Sequence, residues 1–267
     1  PPRQIQWFIN KQKDECRRSK DVETSDDYFA EKMNEVYRAY EELCERESLV
    51  DFGELLLRTY LLLKSNKGVL DHYQQRFRHI LVDEFQDTNE VQYQFLRLLC
   101  ESDSHIMSVG DDDQSIYGWR GAKSENINRF TKDYKNTEII RLEQNYRSTS
   151  VILGAANAVI KNNQGRMGKE LWTDQKEGEP ISIYSAYNED DEARYVVGSI
   201  QNWMEQGRDL SEVAILYRSN AQSRALEEAI LREGLAYRIY GGLRFYERAE
   251  IKNAMSYLRL VFGREDD

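Results

Sequence analysis

The chain has 267 residues, of which 40% are hydrophobic and 31% charged, enough for one large or two medium-sized soluble domains. No apolar run approaches the roughly 20 residues of a membrane-spanning helix, which argues against a membrane protein. The net charge of −10 argues against a basic nucleic-acid-binding face. The three cysteines, Cys16, Cys44 and Cys100, lie too far apart to predict a disulfide framework or a zinc site.

The two ends of the chain predict a piece of a longer cytoplasmic protein. The first residues, PPRQIQWFINKQKDE, contain no initiator Met and no apolar core of a signal peptide. The last residues, GREDD, stop abruptly. Because the cysteines are few and odd in number, we expect a reducing compartment, the cytoplasm.

The first part of the chain is predicted to be helical. Ser25 can cap a helix whose apolar side chains recur at spacings of three and four residues over 29–44. Asp51 and Glu54 have the spacing of a capping box, in which each side chain bonds to the backbone N–H of the other residue. A second helix is predicted to follow them over 55–63.

From about residue 78, short apolar runs alternate with helical patterns. The runs predicted to be buried parallel strands are HILVDE (79–84), HIMSVG (105–110), EIIRLE (138–143), ISIYSAY (181–187), VAILYRS (213–219) and YRIYGG (237–242). Helices are predicted over residues 89–100, 149–162, 189–206, 221–233 and about 247–261. The order predicts an α/β fold, in which ligands bind at the carboxyl ends of the strands.

The first polar cluster, DEFQDT at 83–88, directly follows the apolar run ILV. A carboxylate at this place can hold Mg²⁺, and its neighbour can deprotonate a water that attacks a phosphate. Asp83 is therefore the candidate magnesium ligand and Glu84 the candidate general base. The alternative is an acidic loop that ends a strand and has no chemical role.

The second cluster is GDDDQSIYGWRGA at 110–122. The amide of Gln114 is suited to sensing a terminal phosphate. Tyr117, Trp119 and Arg120 place two aromatic faces and a guanidinium in one polar loop, and bases of single-stranded DNA stack on such side chains. Alternatively, the two rings anchor the loop to the core.

A third cluster, RLEQNYRST at 141–149, also comes at a predicted strand end. Tyr146 can stack on a nucleobase, and Arg147 can reach a γ-phosphate as an arginine finger does. A structural role for both side chains is the alternative.

The fourth cluster, YRSNAQSR at 217–224, follows another predicted strand. Tyr217, Arg218 and Asn220 can contact a DNA strand. A polar turn that caps the next helix explains the same residues equally well.

These four motifs, in this order and spacing, resemble motifs II, III and IV and a following 2A-domain motif of superfamily 1 DNA helicases. Within that superfamily the chain is similar to the UvrD/PcrA/Rep family, also in LVDFGELLLR, LWTD, DEARYVV and YRIYGGLRFYER. The resemblance implies RecA-like P-loop NTPase domains, 1A and 2A, with inserted helical domains 1B and 2B. It assigns residues 1–77 to 1B, 78–143 to the second half of 1A, 144–241 to the first part of 2A and 242–267 to the start of 2B.

The resemblance also implies an ATP-dependent DNA helicase that moves 3′ to 5′ and unwinds duplex DNA in nucleotide excision and mismatch repair. ATP and Mg²⁺ are the implied cofactors, with Asp83 on the metal and Glu84 activating water. Gln114 would couple the γ-phosphate to the DNA site, Tyr146 would stack on adenine, and Arg147 would touch the γ-phosphate.

The implied partners are single-stranded DNA, junctions of single- and double-stranded DNA, and DNA repair proteins, in a bacterial cytoplasm close to the nucleoid and without a membrane. The residues expected to contact DNA are Tyr117, Trp119, Arg120, Tyr217, Arg218 and Asn220.

One part of the family pattern is missing, because the sequence contains no GxxxxGK[ST] phosphate loop. The nearest string, GRMGKE at 165–170, has the wrong glycine spacing and has Glu170 where a magnesium-binding hydroxyl should be, so a surface loop is predicted. The resemblance places the phosphate loop before residue 1 and motifs V and VI after residue 267. These residues alone are therefore expected to hydrolyse no ATP above background.

Two other classes of protein stay open. The carboxylates of 83–87 and 111–113 could form the two-metal cluster of a nuclease, although only three histidines are present. A catalytically inactive DNA- or protein-binding module is the other class, although the intact Glu84, Gln114 and Arg147 weigh against it. The acidic balance predicts that DNA binding relies on stacking and a few local cations, with a shallow salt dependence.

Overall fold

A computed structural model describes residues 2–23, 27–100, 104–175, 177–240 and 249–262. The chain divides into two compact units, Pro1–Glu179 and Pro180–Asp267. Helices dominate both units, and the described residues contain one small parallel sheet. Among these residues no helix is both long and apolar enough to cross a membrane.

The predicted helical segment consists of four helices. They are α1 (Pro2–Asp14), α2 (Tyr28–Arg46), α3 (Phe52–Ser65) and α4 (Lys67–Arg76). Asp27 caps α2 by accepting a hydrogen bond from Phe29 N, whereas the predicted cap, Ser25, lies outside the described residues. Asp51 caps α3 as predicted, with Glu54 N donating to its Oδ1 at 2.7 Å.

Glu54 does not complete the predicted capping box. Its side chain turns inward, is only 3% exposed, and accepts two hydrogen bonds from the guanidinium of Arg18 at 2.6 and 2.7 Å. Lys13 Nζ lies 3.2 Å from the same carboxylate. Burying a carboxylate is costly unless it is paired with opposite charge, so the two cations outcompete the backbone N–H of Asp51.

The sheet of the first unit consists of β1 (His79–Val82) and β2 (His105–Ser108), which pair in parallel. Helix α5 (Glu90–Leu99) connects them, so the first two predicted strands and the helix between them are confirmed. Pairing continues past the strands, because Val109 N donates to Val82 O at 2.8 Å and Phe85 N donates to Val109 O at 3.0 Å. The loops after both strands therefore leave the sheet side by side.

Two more helices complete the first unit, α6 (Glu125–Asp133), which the sequence pattern did not predict, and α7 (Ser150–Ile160), which it did. Phe130 of α6 packs against Phe85 with 5.4 Å between ring centroids. Phe85 also packs edge-on against Tyr93 of α5. These buried rings fix the loop after β1 against the two helices.

The strand predicted over 138–143 does not form. Ile140 and Leu142 are largely exposed. Among the described residues next to them, pairing is limited to an isolated parallel bridge between Gln144 and Trp172. A strand needs the N–H and C=O groups of a partner along its whole length, and no described segment supplies them here.

The second unit contains helices α8 (Glu189–Glu205), α9 (Ser223–Arg232) and α10 (Ala249–Phe262), all predicted. Its core packs Ala193 and Val197 of α8 against Ala229 and Ile230 of α9. The strands predicted over 181–187 and 213–219 are wrong, as is the described part (237–240) of the third, whereas 241–242 lie outside the described residues. These runs pair with no described strand, and Ile183 and Leu216 are each 94% exposed.

Candidate functional site

The loop after β1 presents two adjacent carboxylates, Asp83 and Glu84, to solvent. Asp83 Oδ1 accepts a hydrogen bond from Glu84 N at 2.9 Å. Glu84 adopts the left-handed conformation, with φ 49° and ψ 44°, which costs a residue with a side chain roughly 1–2 kcal/mol. Such strained positions cluster at functional loops.

Gln86 joins this loop to the loop after β2. Its side chain is 1% exposed, its Nε2 donates to Glu84 Oε2 at 2.6 Å, and its Oε1 accepts from Asp111 N at 2.9 Å. The amide therefore fixes the candidate base relative to the second polar cluster. Gln86 belongs to the predicted polar cluster DEFQDT, but the sequence pattern assigned it no role. The available signal was a single amide between two carboxylates directly after a strand.

Gly110 allows the two loops to approach this closely. A Cβ atom at this position would lie 2.7 Å from Gln86 Oε1 and 3.2 Å from Phe85 N. Both distances are shorter than van der Waals contact, so any larger residue must displace the amide or the backbone.

Gln114 lies at the end of a short 3-10 helix over residues 112–114, which Asp111 caps. Its Nε2 donates to Asp111 Oδ2 at 2.7 Å. Asp111 in turn donates its N–H to Gln86, which holds Glu84. The structure thus connects the candidate base and the candidate phosphate sensor through two intervening residues.

Tyr117, Trp119 and Arg120 form one exposed group. The Arg120 guanidinium carbon lies 5.0 Å from the Tyr117 ring centroid and 4.5 Å from that of Trp119, and the rings are 6.5 Å apart. Trp119 is 72% exposed, so it does not anchor the loop to the core. The arrangement offers an aromatic face with a cation over it, which suits the bases and phosphates of a single strand.

The loop that carries the aromatic group packs against the carboxyl end of α1. Asn89 Nδ2 donates to Asp14 Oδ1 at 2.7 Å, and a Cβ on Gly121, where φ is +86°, would lie 2.9 Å from Asp14 Oδ2. Burial raises the pKa of Asp14 to about 6, although the hydrogen bond from Asn89 opposes the shift. The helical segment thus touches the loop that carries the aromatic group.

Tyr146 and Arg147 are exposed in the same unit. The Tyr146 hydroxyl donates to Gln144 Oε1 at 2.7 Å, and Arg147 N donates to Asn145 Oδ1 at 2.9 Å. Within the described part of the chain, the Arg147 guanidinium forms no hydrogen bond or ion pair. The structure therefore leaves both side chains accessible and does not join them to Glu84.

Tyr217, Arg218 and Asn220 belong to the second unit. They surround the start of a 3-10 helix over residues 220–222, where Gln222 Oε1 accepts from the N–H groups of Arg218 and Ser219 at 3.0 Å. The polar capping turn that was the alternative for this motif is present. The side chains of Arg218 and Asn220 remain exposed beside it.

The segment 165–170 is a loop with exposed residues, as predicted, and it also binds the acidic turn 111–113. Arg166 holds Asp113 with bonds of 2.8 and 2.5 Å, and Lys169 Nζ lies 2.5 Å from Asp111 Oδ1. Met167 N donates to Asp112 Oδ2 at 2.7 Å. The sequence showed the two basic residues, but nothing in their local pattern linked them to acidic residues more than 50 positions away.

These bonds also bear on the nuclease hypothesis. The carboxylate oxygens of residues 111–113 lie within 4.8 Å of one another, as metal ligands do. Each of the three carboxylates is already engaged through at least one oxygen by a cation or a backbone N–H, and among the described residues Asp83, Glu84 and Asp87 do not join the group. The two-metal arrangement is therefore not assembled.

Family models for helicases match both parts of the chain. The UvrD/REP helicase N-terminal domain matches residues 1–135, and the UvrD-like helicase C-terminal domain matches residues 140–267. The chain therefore belongs to the UvrD/Rep helicase family.

Individual relatives carry the names of DNA helicases. The chain is 59% identical to DNA helicase II of Escherichia coli and 54% identical to DNA helicase II of Haemophilus influenzae. It is 44% identical to the ATP-dependent DNA helicase PcrA of Staphylococcus aureus. Each match covers all of this chain and 37% of the relative, so the chain spans little more than a third of the length of these proteins.

Proposed function

We propose that this chain is the part of an ATP-dependent DNA helicase that links ATP hydrolysis to a contact with single-stranded DNA. The observation that carries the proposal is the amide of Gln86, which ties Glu84 to the backbone of Asp111 through bonds of 2.6 and 2.9 Å. A carboxylate that abstracts a proton must be held in a fixed orientation, and a buried amide provides this. An acidic loop without a chemical role would not need it.

Asp83 is proposed as the magnesium ligand. Its carboxylate is exposed at the carboxyl end of β1, and among the described residues only its Oδ1 accepts a hydrogen bond, from Glu84 N. Magnesium takes oxygen ligands, commonly one or two carboxylates together with substrate phosphates, so the side chain fits. When bound, the ion would neutralise charge on the phosphate oxygens of ATP. The sequence contains no GxxxxGK[ST] phosphate loop.

Glu84 would take a proton from the attacking water. Gln86 occupies its Oε2, which leaves Oε1 as the acceptor. Gln114 lies next in the same hydrogen-bonded series, and the loop that continues from it carries the aromatic group three to six residues later. Movement of Gln114 would therefore be passed directly to Trp119 and Arg120.

The remaining assignments rest on the family resemblance. Tyr146 would stack on adenine and Arg147 would contact the γ-phosphate, while Tyr217, Arg218 and Asn220 would contact DNA. We also infer 3′ to 5′ movement, action at junctions of single- and double-stranded DNA, and work with repair proteins in nucleotide excision and mismatch repair in the cytoplasm, near the nucleoid. The division into parts of domains 1B, 1A, 2A and 2B at residues 77, 143 and 241 stays a prediction.

The test is ATPase activity of the full-length protein with and without single-stranded DNA. Glu84→Gln removes the proton acceptor but keeps the size of the side chain and an oxygen for Gln86. Glu212→Gln, at an exposed position of the second unit, is the matched control. We expect strong DNA stimulation in the wild type and the control, and a loss of 10²-fold or more in Glu84→Gln.

Other outcomes point elsewhere. Turnover by Glu84→Gln at the wild-type rate would show that another group is the base. If no form hydrolyses ATP but all bind single-stranded DNA, the inactive binding module is the better description.

A further inference from the structure

The loop of residues 165–170 makes an ordered contact with the acidic turn of residues 111–113, and we name this segment the docking loop. Its three donors, Arg166, the backbone N–H of Met167, and Lys169, each bind a different one of three consecutive carboxylates. Gly165 and Gly168 have φ values of 80° and 74°, which a residue with a side chain rarely adopts. The backbone of the docking loop is therefore shaped to present these donors.

The contacts are stronger than ordinary surface ion pairs. Arg166 is bidentate on Asp113, a geometry that fixes both side chains, and the two are only 20% and 12% exposed. Lys169 and Asp111 are 19% and 22% exposed. Although burial alone raises the pKa of Asp111, hydrogen bonds from Lys169 and Gln114 outweigh it and lower the pKa overall. Removal of either cation would leave a largely buried carboxylate without its partner.

A continuous series of hydrogen bonds runs from the docking loop to the candidate base. Lys169 holds one oxygen of Asp111, and the other oxygen accepts from Gln114 Nε2 at 2.7 Å. The N–H of Asp111 donates to Gln86, whose Nε2 donates to Glu84. The orientation of Asp111 therefore affects both Gln114 and Glu84.

The two sides of this contact come from different family-model matches. The acidic turn lies in the stretch matched by the N-terminal model, and the docking loop in the stretch matched by the C-terminal model. Both belong to the same compact unit of the chain. The ion pairs are thus a point at which the second region can set the geometry of the first.

We propose that Lys169 and Arg166 are positioning residues for ATP hydrolysis, which act through Asp111 and Asp113 on Gln114 and Glu84. The inference rests on the proposed function. Neither cation needs to touch ATP. Their role is to hold the acidic turn so that the phosphate sensor and the base keep their relative orientation.

The first test compares Lys169→Met with Lys169→Arg in the full-length protein. Methionine keeps the length of the side chain and removes its charge, whereas arginine keeps the charge. Lys161→Met, an exposed lysine after α7, is the matched control. We expect Lys169→Met to lower the kcat of DNA-stimulated ATPase about tenfold with little change in the KM for ATP, as loss of an outer-shell partner commonly does. Arginine should restore most of the rate.

The second test needs no ATP. Hydrogen exchange reports the backbone N–H groups of Asp113 and Gln114, which donate to Asp111 Oδ1 and Asp111 O. We expect both to exchange faster in Lys169→Met and in Arg166→Met than in Lys161→Met. If Lys169→Met does not fold, Arg166→Met is assayed in the same two ways, because it breaks the second ion pair of the same contact, that with Asp113.

The outcomes separate this inference from the proposed function. If the wild type lacks DNA-stimulated turnover, both fail. If the wild type is active, and Lys169→Met keeps its kcat or loses only affinity for ATP, the positioning role is wrong and the proposed function stands. A fall in kcat that arginine does not rescue would also overturn it.

Discussion

Gln86 Nε2 lies 2.6 Å from Glu84 Oε2, and the same amide accepts the N–H of Asp111 through its other polar atom. One buried side chain thus connects the loops that follow the two strands. Glu84 keeps a strained left-handed backbone while its carboxylate is held from one side. Within the described residues, Glu84 Oε1 accepts no hydrogen bond, which leaves it available for a water.

The close packing of these loops gives a first prediction, for Gly110→Ala. The added methyl group must displace Gln86 Oε1, so we expect a loss of about 1–3 kcal/mol in stability and a fall in ATPase activity. Thermal unfolding and ATPase assays of the full-length protein measure the two effects. Gly154→Ala is the matched control, because its Cβ meets open space inside α7 and alanine favours a helix by roughly 0.5–1 kcal/mol. Equal melting temperatures for the two variants would contradict this account of Gly110.

The second prediction concerns the aromatic group. Trp119→Ala should weaken binding to a single-stranded oligothymidylate by about 1–3 kcal/mol, the usual contribution of a stacked base. Fluorescence anisotropy measures the affinity. Trp7→Ala, at an equally exposed tryptophan on α1, should leave it unchanged. Because stacking is not screened, the loss in Trp119→Ala should persist at high salt. A loss that disappears at high salt would point to Arg120 in place of Trp119.

The third prediction concerns the buried ion pairs of the helical segment. Glu54→Ala leaves Lys13 and Arg18 without their shared carboxylate, so we expect a loss of about 3–5 kcal/mol in stability. Glu35→Ala is the control, since the pair of Glu35 with Lys32 is exposed and such pairs contribute about 0–1 kcal/mol. Urea unfolding monitored by circular dichroism measures both. Similar losses in the free energy of unfolding for the two variants would show that burial does not strengthen the ion pairs of Glu54 with Lys13 and Arg18.

The fourth prediction uses the raised pKa of Asp14. Burial raises this pKa from 3.8 to about 6, so the folded protein binds the proton more tightly than the unfolded chain does. Ionisation of Asp14 therefore makes wild-type stability fall as the pH rises from about 4 to 6, with little further change above pH 7. Asp14→Asn keeps an oxygen for Asn89 Nδ2. It removes this pH dependence of stability, because the amide does not ionise. The variant should thus be the more stable form at pH 8, and parallel pH profiles would rule the assignment out.

The sequence predicted the elements that depend on near neighbours. Apolar side chains spaced three and four residues apart identified α2, α3, α5, α7, α8, α9 and α10. The helix cap at Asp51 was also recognisable, because a capping bond spans three residues. The order of the four polar motifs was sufficient to indicate the helicase family that the two domain models then confirmed.

Contacts between distant residues were decided only by the tertiary structure. Glu54 has the spacing of a capping residue, yet it pairs with Arg18, 36 positions away. Lys169 reaches Asp111 across 58 positions, and four apolar runs predicted as strands find no strand partner among the described residues. Local periodicity records which face of an element is apolar, whereas strand pairing and buried ion pairs depend on which remote segment comes within bonding distance. The motifs could therefore be identified from sequence, whereas the bonds by which Gln86 and the docking loop hold them together were decided by the tertiary structure.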